Sequence, residues 1–337
     1  MHLNFRGHFS LLVVVFLAAC APSARADDKK AADGAPRFLR MTRTEEGNAL
    51  GLESAIVRYV ARDAGREGPT VDLVAAVHVA EAAYYEELNR RFRDYDAVLY
   101  ELIAPEGTRI PKGGVKTGGS AVSMLQTMMT RVLELDFQLN KVDYTVGNFV
   151  HADMTPEQFA ATMKNRGESA FQTFFRMIGY AMAKQGDRAP FGGDLRLLAA
   201  VFDKDRALAM KRVLAEEFQH MEGSLAAING PDGSTLITER NNVALAVLRR
   251  QFDAGKKKVA IFYGAGHMFD FEQRLQDDFG LAPVETTWLT AWDLTAAEDR
   301  GNRSPPGASR PEGPQGKNSV EPSGQPGRAR VAPEPRQ

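Results

Sequence analysis

Apolar residues along the chain fall into alternating, continuous and helical patterns. Residues 53–62, ESAIVRYVAR, alternate apolar and polar positions as a half-buried strand does. GREGP at 65–69 is turn chemistry, and Val71–Val77 is a second apolar run, so the two predict a hairpin. DAVLY at 96–100 and Val259–Tyr263 are continuous apolar runs of strand length, as expected of strands covered on both faces. KVDYTVGNFV at 141–150 predicts a further strand. Helical spacing recurs in Leu125, Met128, Val132, Leu135 and Leu139, again over residues 169–186, and from Leu195 to His220. Thr155 followed by Pro156 marks a helix start. Another helix is predicted from Thr238, with Leu245, Leu248 and Phe252 on one face.

One arrangement occurs twice. VDLVAAVHVAEAAYYEELNRRFRDYDAVLYELI (71–103) and KVAIFYGAGHMFDFEQRLQDDFGLAPVETTWLT (258–290) each read strand, small residues, histidine, amphipathic helix, strand. Glu81, Tyr85, Leu88 and Phe92 share a face of the first helix, and Met268, Phe271, Leu275 and Phe279 of the second. With His78 laid over His267, Ala75 falls on Gly264. Such units are crossovers in a parallel sheet, and ligands of such sheets bind at the carboxyl ends of the strands. The expected fold is therefore α/β: a central, mostly parallel sheet made of two similar strand–His–helix–strand units, with a largely helical insertion between them.

The two ends read differently. Residues 1–26 have the form of a signal peptide: Arg6, then an apolar run too short to span a bilayer. Leu17-Ala18-Ala19-Cys20 has the form of a lipobox, while Ala24-Arg25-Ala26 suits an ordinary signal-peptidase site. Residues 27–36 read as a linker and 37–296 as one domain. The stretch 297–337, rich in Pro, Gly, Ser and Arg with almost no large apolar residues, reads as a disordered tail. The expectation is an exported protein, periplasmic or an outer-membrane lipoprotein, touching a membrane only through a lipid on Cys20.

Composition narrows the chemistry. The 337 residues are 44% hydrophobic and 25% charged, and 42 Lys+Arg against 43 Asp+Glu give a formal net charge of -1. That balance gives no bias toward nucleic acid, and Lys256–Lys258 reads as a solvated turn. Cys20 is the single cysteine, so the domain is expected to hold no disulfide and no thiol nucleophile. Methionines such as Met124, Met128, Met129, Met177 and Met182 read as adaptable core filling.

A lone histidine after a strand is usually a loop or cap residue, but two at equivalent points of a repeat point to a site. Gly264 and Gly266 would let the backbone before His267 turn tightly and approach a ligand. Glu101 follows the apolar strand DAVLY, where a carboxylate is costly unless paired or bound. Arg240 falls in a first helical turn, against the helix dipole, which suggests another use. His151 ends a predicted strand and is a further candidate. Asp153 reads as electrostatic support for the helix that follows, and His220 as a surface residue.

VAAVHVAEAAYYEEL, DAVLYELI, ITERN and FYGAGHMFDFEQRL together resemble the TraB/PrgY/GumN family. Its relatives include the TIKI proteases and, more distantly, the erythromycin esterases and haem-binding ChaN-type proteins. The family pattern is two Gly-x-x-His motifs with a Glu and an Arg between them. Here the second motif is intact at Gly264–His267, and the first, Ala75–His78, departs from the pattern at the glycine. Glu101 and Arg240 match the family Glu and Arg. The resemblance implies hydrolysis of a peptide bond by a divalent ion (Zn, Mn or Co) on His78, His267 and Glu101, with Arg240 stabilising an oxyanion or gripping a substrate carboxylate. It also allows metal-free hydrolysis of a small carbonyl substrate with a histidine as general base, or a peptide- or haem-sequestering protein without turnover.

Overall fold

The computed structural model describes residues 38–63, 68–114, 132–168, 196, 199–229 and 232–296, with the backbone alone for 219–228. The expected signal peptide, linker, tail, core-filling methionines and the 169–186 helix lie outside the described residues, as does the side chain of His220.

The fold is mixed α/β, with a sheet of mostly parallel strands covered by helices. The strands are β1 (Leu39–Arg43), β2 (Ala49–Ala61), β3 (Thr70–Ala76), β4 (Val79–Ala80), β5 (Ala97–Tyr100), β6 (Asp136–Phe137), β7 (Phe149–His151), β8 (Lys258–Gly264) and β9 (Leu281–Asp293). The helices are α1 (Ala82–Phe92), α2 (Gln138–Lys141), α3 (Pro156–Asn165), α4 (Arg206–Asn229), α5 (Arg240–Asp253) and α6 (Met268–Asp277). None of the described helices is long and apolar enough to cross a membrane.

The seven-stranded sheet centres on β3, β8, β5 and β7, which lie side by side and parallel. The predicted β2–β3 hairpin is present, with Ile56 opposite Val74. Long β2 pairs β9 along one edge and β1 and β3, end to end, along the other, all antiparallel. β2 is therefore the one described strand of this sheet that runs against the rest. β8 enters between β3 and β5, although those two are close in sequence.

The apolar runs alternate between two cores. In β8, Val259, Ile261 and Tyr263 face one and Ala260 and Phe262 the other. Tyr85, Leu88 and Phe92 of α1 fill one core, while Leu245 and Leu248 of α5 and Met268, Phe271 and Leu275 of α6 fill the other. α1 leads from β3 past β8 to β5, whereas α6 leads from β8 in the opposite direction to β9, so same-handed crossovers put them on opposite faces. Phe271 and Leu275 are fully buried, each contributing about 1.5–3 kcal/mol by removal from water.

Several predicted elements differ. The helix expected through Leu139 does not run through: Glu134 takes a left-handed backbone (φ 53) and Asp136–Phe137 pairs with β4 instead. That pairing satisfies backbone groups which a continuous helix would have bonded internally. The strand expected over 141–150 shrinks to Phe149–His151. The helix expected from Leu195 breaks at 202–205 and restarts as α4. Residues 235–239 form a π turn, so the helix expected from Thr238 begins as α5 at Arg240. At Thr155 the prediction stands, with a full capping box closed by Gln158.

Candidate functional site

The parallel strands end along one edge, with Ala76 level with Gly264, and Tyr100 level with both Phe262 and His151. Each of the four delivers a polar residue just past its carboxyl end. β3 supplies His78, β5 Glu101, β7 Asp153 and β8 His267. Arg240 comes from the first residue of α5. Upstream, Arg166 donates to the carbonyls of Asp232 (2.9 Å) and Gly233 (2.8 Å), and Glu168 accepts from Thr235 N (3.0 Å). These bonds anchor the π turn that aims Arg240 inward, a turn type common at functional sites.

Arg240 is the hub, only 2% exposed. Its Nε donates to Asp153 Oδ1 (3.0 Å), and Nη2 to Asp153 Oδ2 (2.6 Å) and Glu101 Oε1 (2.7 Å). Nη1 faces His267 Nε2 (3.3 Å) and the Leu236 carbonyl (3.5 Å). A guanidinium has five N–H groups, and all five are directed at protein acceptors. Burial opposes its charge, but Asp153 and Glu101 outweigh that cost and raise its pKa further. The expected contact with a substrate oxyanion or carboxylate would fall to Nη1 alone, since Nε and Nη2 are held by Asp153 and Glu101.

Glu101 is held as an anion. Burial alone would raise its pKa, yet Arg240, then the two histidines and the Gly264 N–H, bring it well below the usual carboxylate range. Gly264 N donates to Oε2 at 2.7 Å. His267 is buried, and burial pushes its pKa down to about 4, with Glu101 only partly compensating. Its Nδ1 donates to Asn241 Oδ1 (2.7 Å), an atom that can only accept. Its Nε2 therefore carries the lone pair that meets Arg240, 3.5 Å from Glu101 Oε1.

Gly264 is needed for space rather than for an unusual turn. Its φ is −52, an ordinary value, and Gly266 is likewise not left-handed. A Cβ on Gly264 would stand 3.2 Å from His78 Nε2 and 3.3 Å from Glu101 Oε2. The opposing residue on β3 is Ala76, not Ala75 as the histidine alignment implied. The chain thus reaches His78 two residues past the paired position and His267 three residues past it.

His78 is half-buried. Its Nδ1 meets Gln138 Oε1 at 2.9 Å, and Gln138 Nε2 in turn donates to the Tyr144 hydroxyl at 2.9 Å. His151 stands one step away: its Nε2 donates to the Leu102 carbonyl (2.6 Å) and its ring lies against Tyr100, which steadies the backbone after Glu101.

The expected metal set, His78, His267 and Glu101, does not fit as arranged. Both Glu101 oxygens accept from protein N–H groups and His267 Nε2 points at a guanidinium, so a cation would have to share that space with Arg240. Among the described residues no group of three His, Cys, Asp or Glu is placed to hold a metal ion.

Three residues of the site were not among the candidates drawn from the sequence. Asp153 is fully buried and grips Arg240 with both oxygens rather than serving the helix after it. The argument applied to Glu101, a carboxylate just past an apolar strand, would have found it. Asn241 and Gln138 are neutral amides, indistinguishable in sequence from many surface residues. No family model, curated protein or solved structure matches this chain.

Proposed function

We propose that the protein is a hydrolase of TraB/GumN type acting on a peptide or other carbonyl substrate, with a histidine rather than a metal ion activating water. The observation that carries this reading is the convergence of His78, Glu101, Arg240 and His267 at one strand edge, with His78 the histidine that reaches solvent. In this scheme His78 Nε2 takes a proton from water as the water oxygen bonds to the carbonyl carbon, and later returns it to the leaving group. The Glu101 carboxylate faces the imidazolium so formed and stabilises it. Arg240 keeps Glu101 ionised and in place. The metal-dependent route implied by the nearer resemblance, to the TIKI proteases, is set aside because Arg240 stands among the residues that would hold the ion.

The reading also includes export, with a lipid on Cys20, and descent of the two strand–histidine–helix–strand segments from one unit around a largely helical insertion. Lipid labelling lost in Cys20→Ala would test the anchor.

The central test is purified protein assayed on a panel of peptides and esters, with and without a chelator. Turnover should survive chelation and fall on the order of 10²-fold or more in His78→Asn and Glu101→Gln. Loss on chelation with recovery on Zn, Mn or Co would return the reaction to a metal ion. Full activity in Glu101→Gln would remove that residue from the site. Ligand binding without turnover on any substrate would favour the sequestering protein.

A further inference from the structure

Gln138 holds His78 at two points. Its backbone N donates to the His78 carbonyl (2.9 Å), and its side-chain Oε1 accepts at the His78 ring Nδ1 (2.9 Å). The short β4–β6 pairing, with Val79 opposite Phe137, sets up both bonds. Asn241 holds His267 at the same two points: Nδ2 donates to the His267 carbonyl (3.1 Å) and Oδ1 accepts from ring Nδ1 (2.7 Å). Each amide makes a third bond, Gln138 Nε2 to the Tyr144 hydroxyl (2.9 Å) and Asn241 Nδ2 to Asp270 Oδ2 (2.8 Å). Gln138 and Asn241 are both buried. Asn241 cannot turn over, because both partners of its Nδ2 only accept. The Tyr144 hydroxyl can donate or accept, so at Gln138 it is the placement of Oε1 against His78 Nδ1 that decides the pairing.

We infer that Gln138 is a positioning residue that sets the tautomer of His78. An amide oxygen only accepts, so the His78 Nδ1 carries hydrogen, and a proton exchanged by this ring is exchanged at Nε2. Nε2 is the nitrogen next to Gly264 and Glu101. A neutral imidazole in water prefers its proton on Nε2, so the opposite tautomer has to be enforced. An amide enforces it without the charge by which a carboxylate in the same place would favour the imidazolium. The consequence for catalysis rests on the hydrolase reading; the tautomer itself does not.

The test is ¹⁵N NMR of the full chain labelled at histidine, with His78 assigned from the spectrum of His78→Asn. At a pH where the ring is neutral, His78 Nδ1 should give the pyrrole-type signal and Nε2 the pyridine-type one. Gln138→Leu should reverse the pair. Since that variant strands the Tyr144 hydroxyl and could unfold, Gln138→Glu is the companion: it keeps an acceptor at Nδ1, so the tautomer should stay. A wild-type His78 protonated on Nε2, a folded Gln138→Leu with an unchanged tautomer, or a reversed tautomer in Gln138→Glu would each overturn the inference. The wild-type tautomer expected here, found in a protein that hydrolyses nothing, would uphold it while removing the hydrolase reading.

Discussion

The turns after β3 and β8 carry the same kinds of residue, small side chains and then a histidine, but use the imidazole differently. His267 lies behind Arg240, buried, with both ring nitrogens committed and its basicity lowered. His78 stands on the open side, half-buried, beside the gap left by a missing Cβ. The one-residue difference in reach past the paired strand ends accompanies this division. A duplicated pattern can thus supply one group that works and another that organises the charges behind it.

The comparison breaks hardest at Arg240. Arg240→Met would leave Asp153 and Glu101 as buried carboxylates without a cation, and should cost about 3–5 kcal/mol in denaturant unfolding. A much smaller loss would mean the guanidinium is not what holds the two turns together.

Acid sharpens the contrast on the His267 side. Its folded pKa, about 4, lies below the ordinary 6.5, so between those values the unfolded chain binds more protons. Stability should be complete above pH 6.5 and decline as pH falls toward 4, by on the order of 3 kcal/mol. Glu272, on the next helix, works the other way. Burial raises its pKa to about 7 despite a hydrogen bond from Tyr59, so its contribution is present below about 4.5 and lost as pH rises through 7. The two slopes oppose each other in unfolding measured between pH 4.5 and 6.5. Glu272→Gln should steepen the loss toward acid and His267→Gln should flatten or invert it. Indifference of the slope to both substitutions would contradict the burial argument.

The smallest expected effect is the most local. Gly264→Ala meets no backbone strain at φ −52, but its Cβ crowds two side chains, so stability should fall by about 1–3 kcal/mol. Its new Cβ presses on His78 and Glu101, so hydrolytic kcat/KM should fall roughly tenfold through displaced geometry. Loss of stability with kcat/KM unchanged would mean the close approach matters to the fold rather than to the site.

Much of the site was legible because it rests on local anomalies. A carboxylate after DAVLY, a histidine after FYGAG and an arginine against a helix dipole each break a local rule, and the three meet around Arg240. What stayed hidden was relational. Nothing in residues 71–100 shows that β8 will lie between β3 and β5, since periodicity describes a strand and not its neighbours. Nor does Gln138 advertise itself: apolar spacing through Leu139 suggested a helix, and only the pairing of Asp136–Phe137 with Val79–Ala80 turns its amide toward His78. Ala76 and Gly264 show the limit of motif alignment, which matched histidines where the sheet matches backbones.

The placement of β8 also orders events during synthesis. A nascent chain that has reached α4 has made β3, β5 and β7 but has nothing to put between β3 and β5, so the middle of the sheet stays open until residue 264 has emerged. Because β8 supplies Gly264 and the turn bearing His267, the last strand to close the gap also completes the charge cluster. A chain halted before Lys258 would lack both, and shorter fragments should be recognised by proteases as unfinished rather than persist as partly active species.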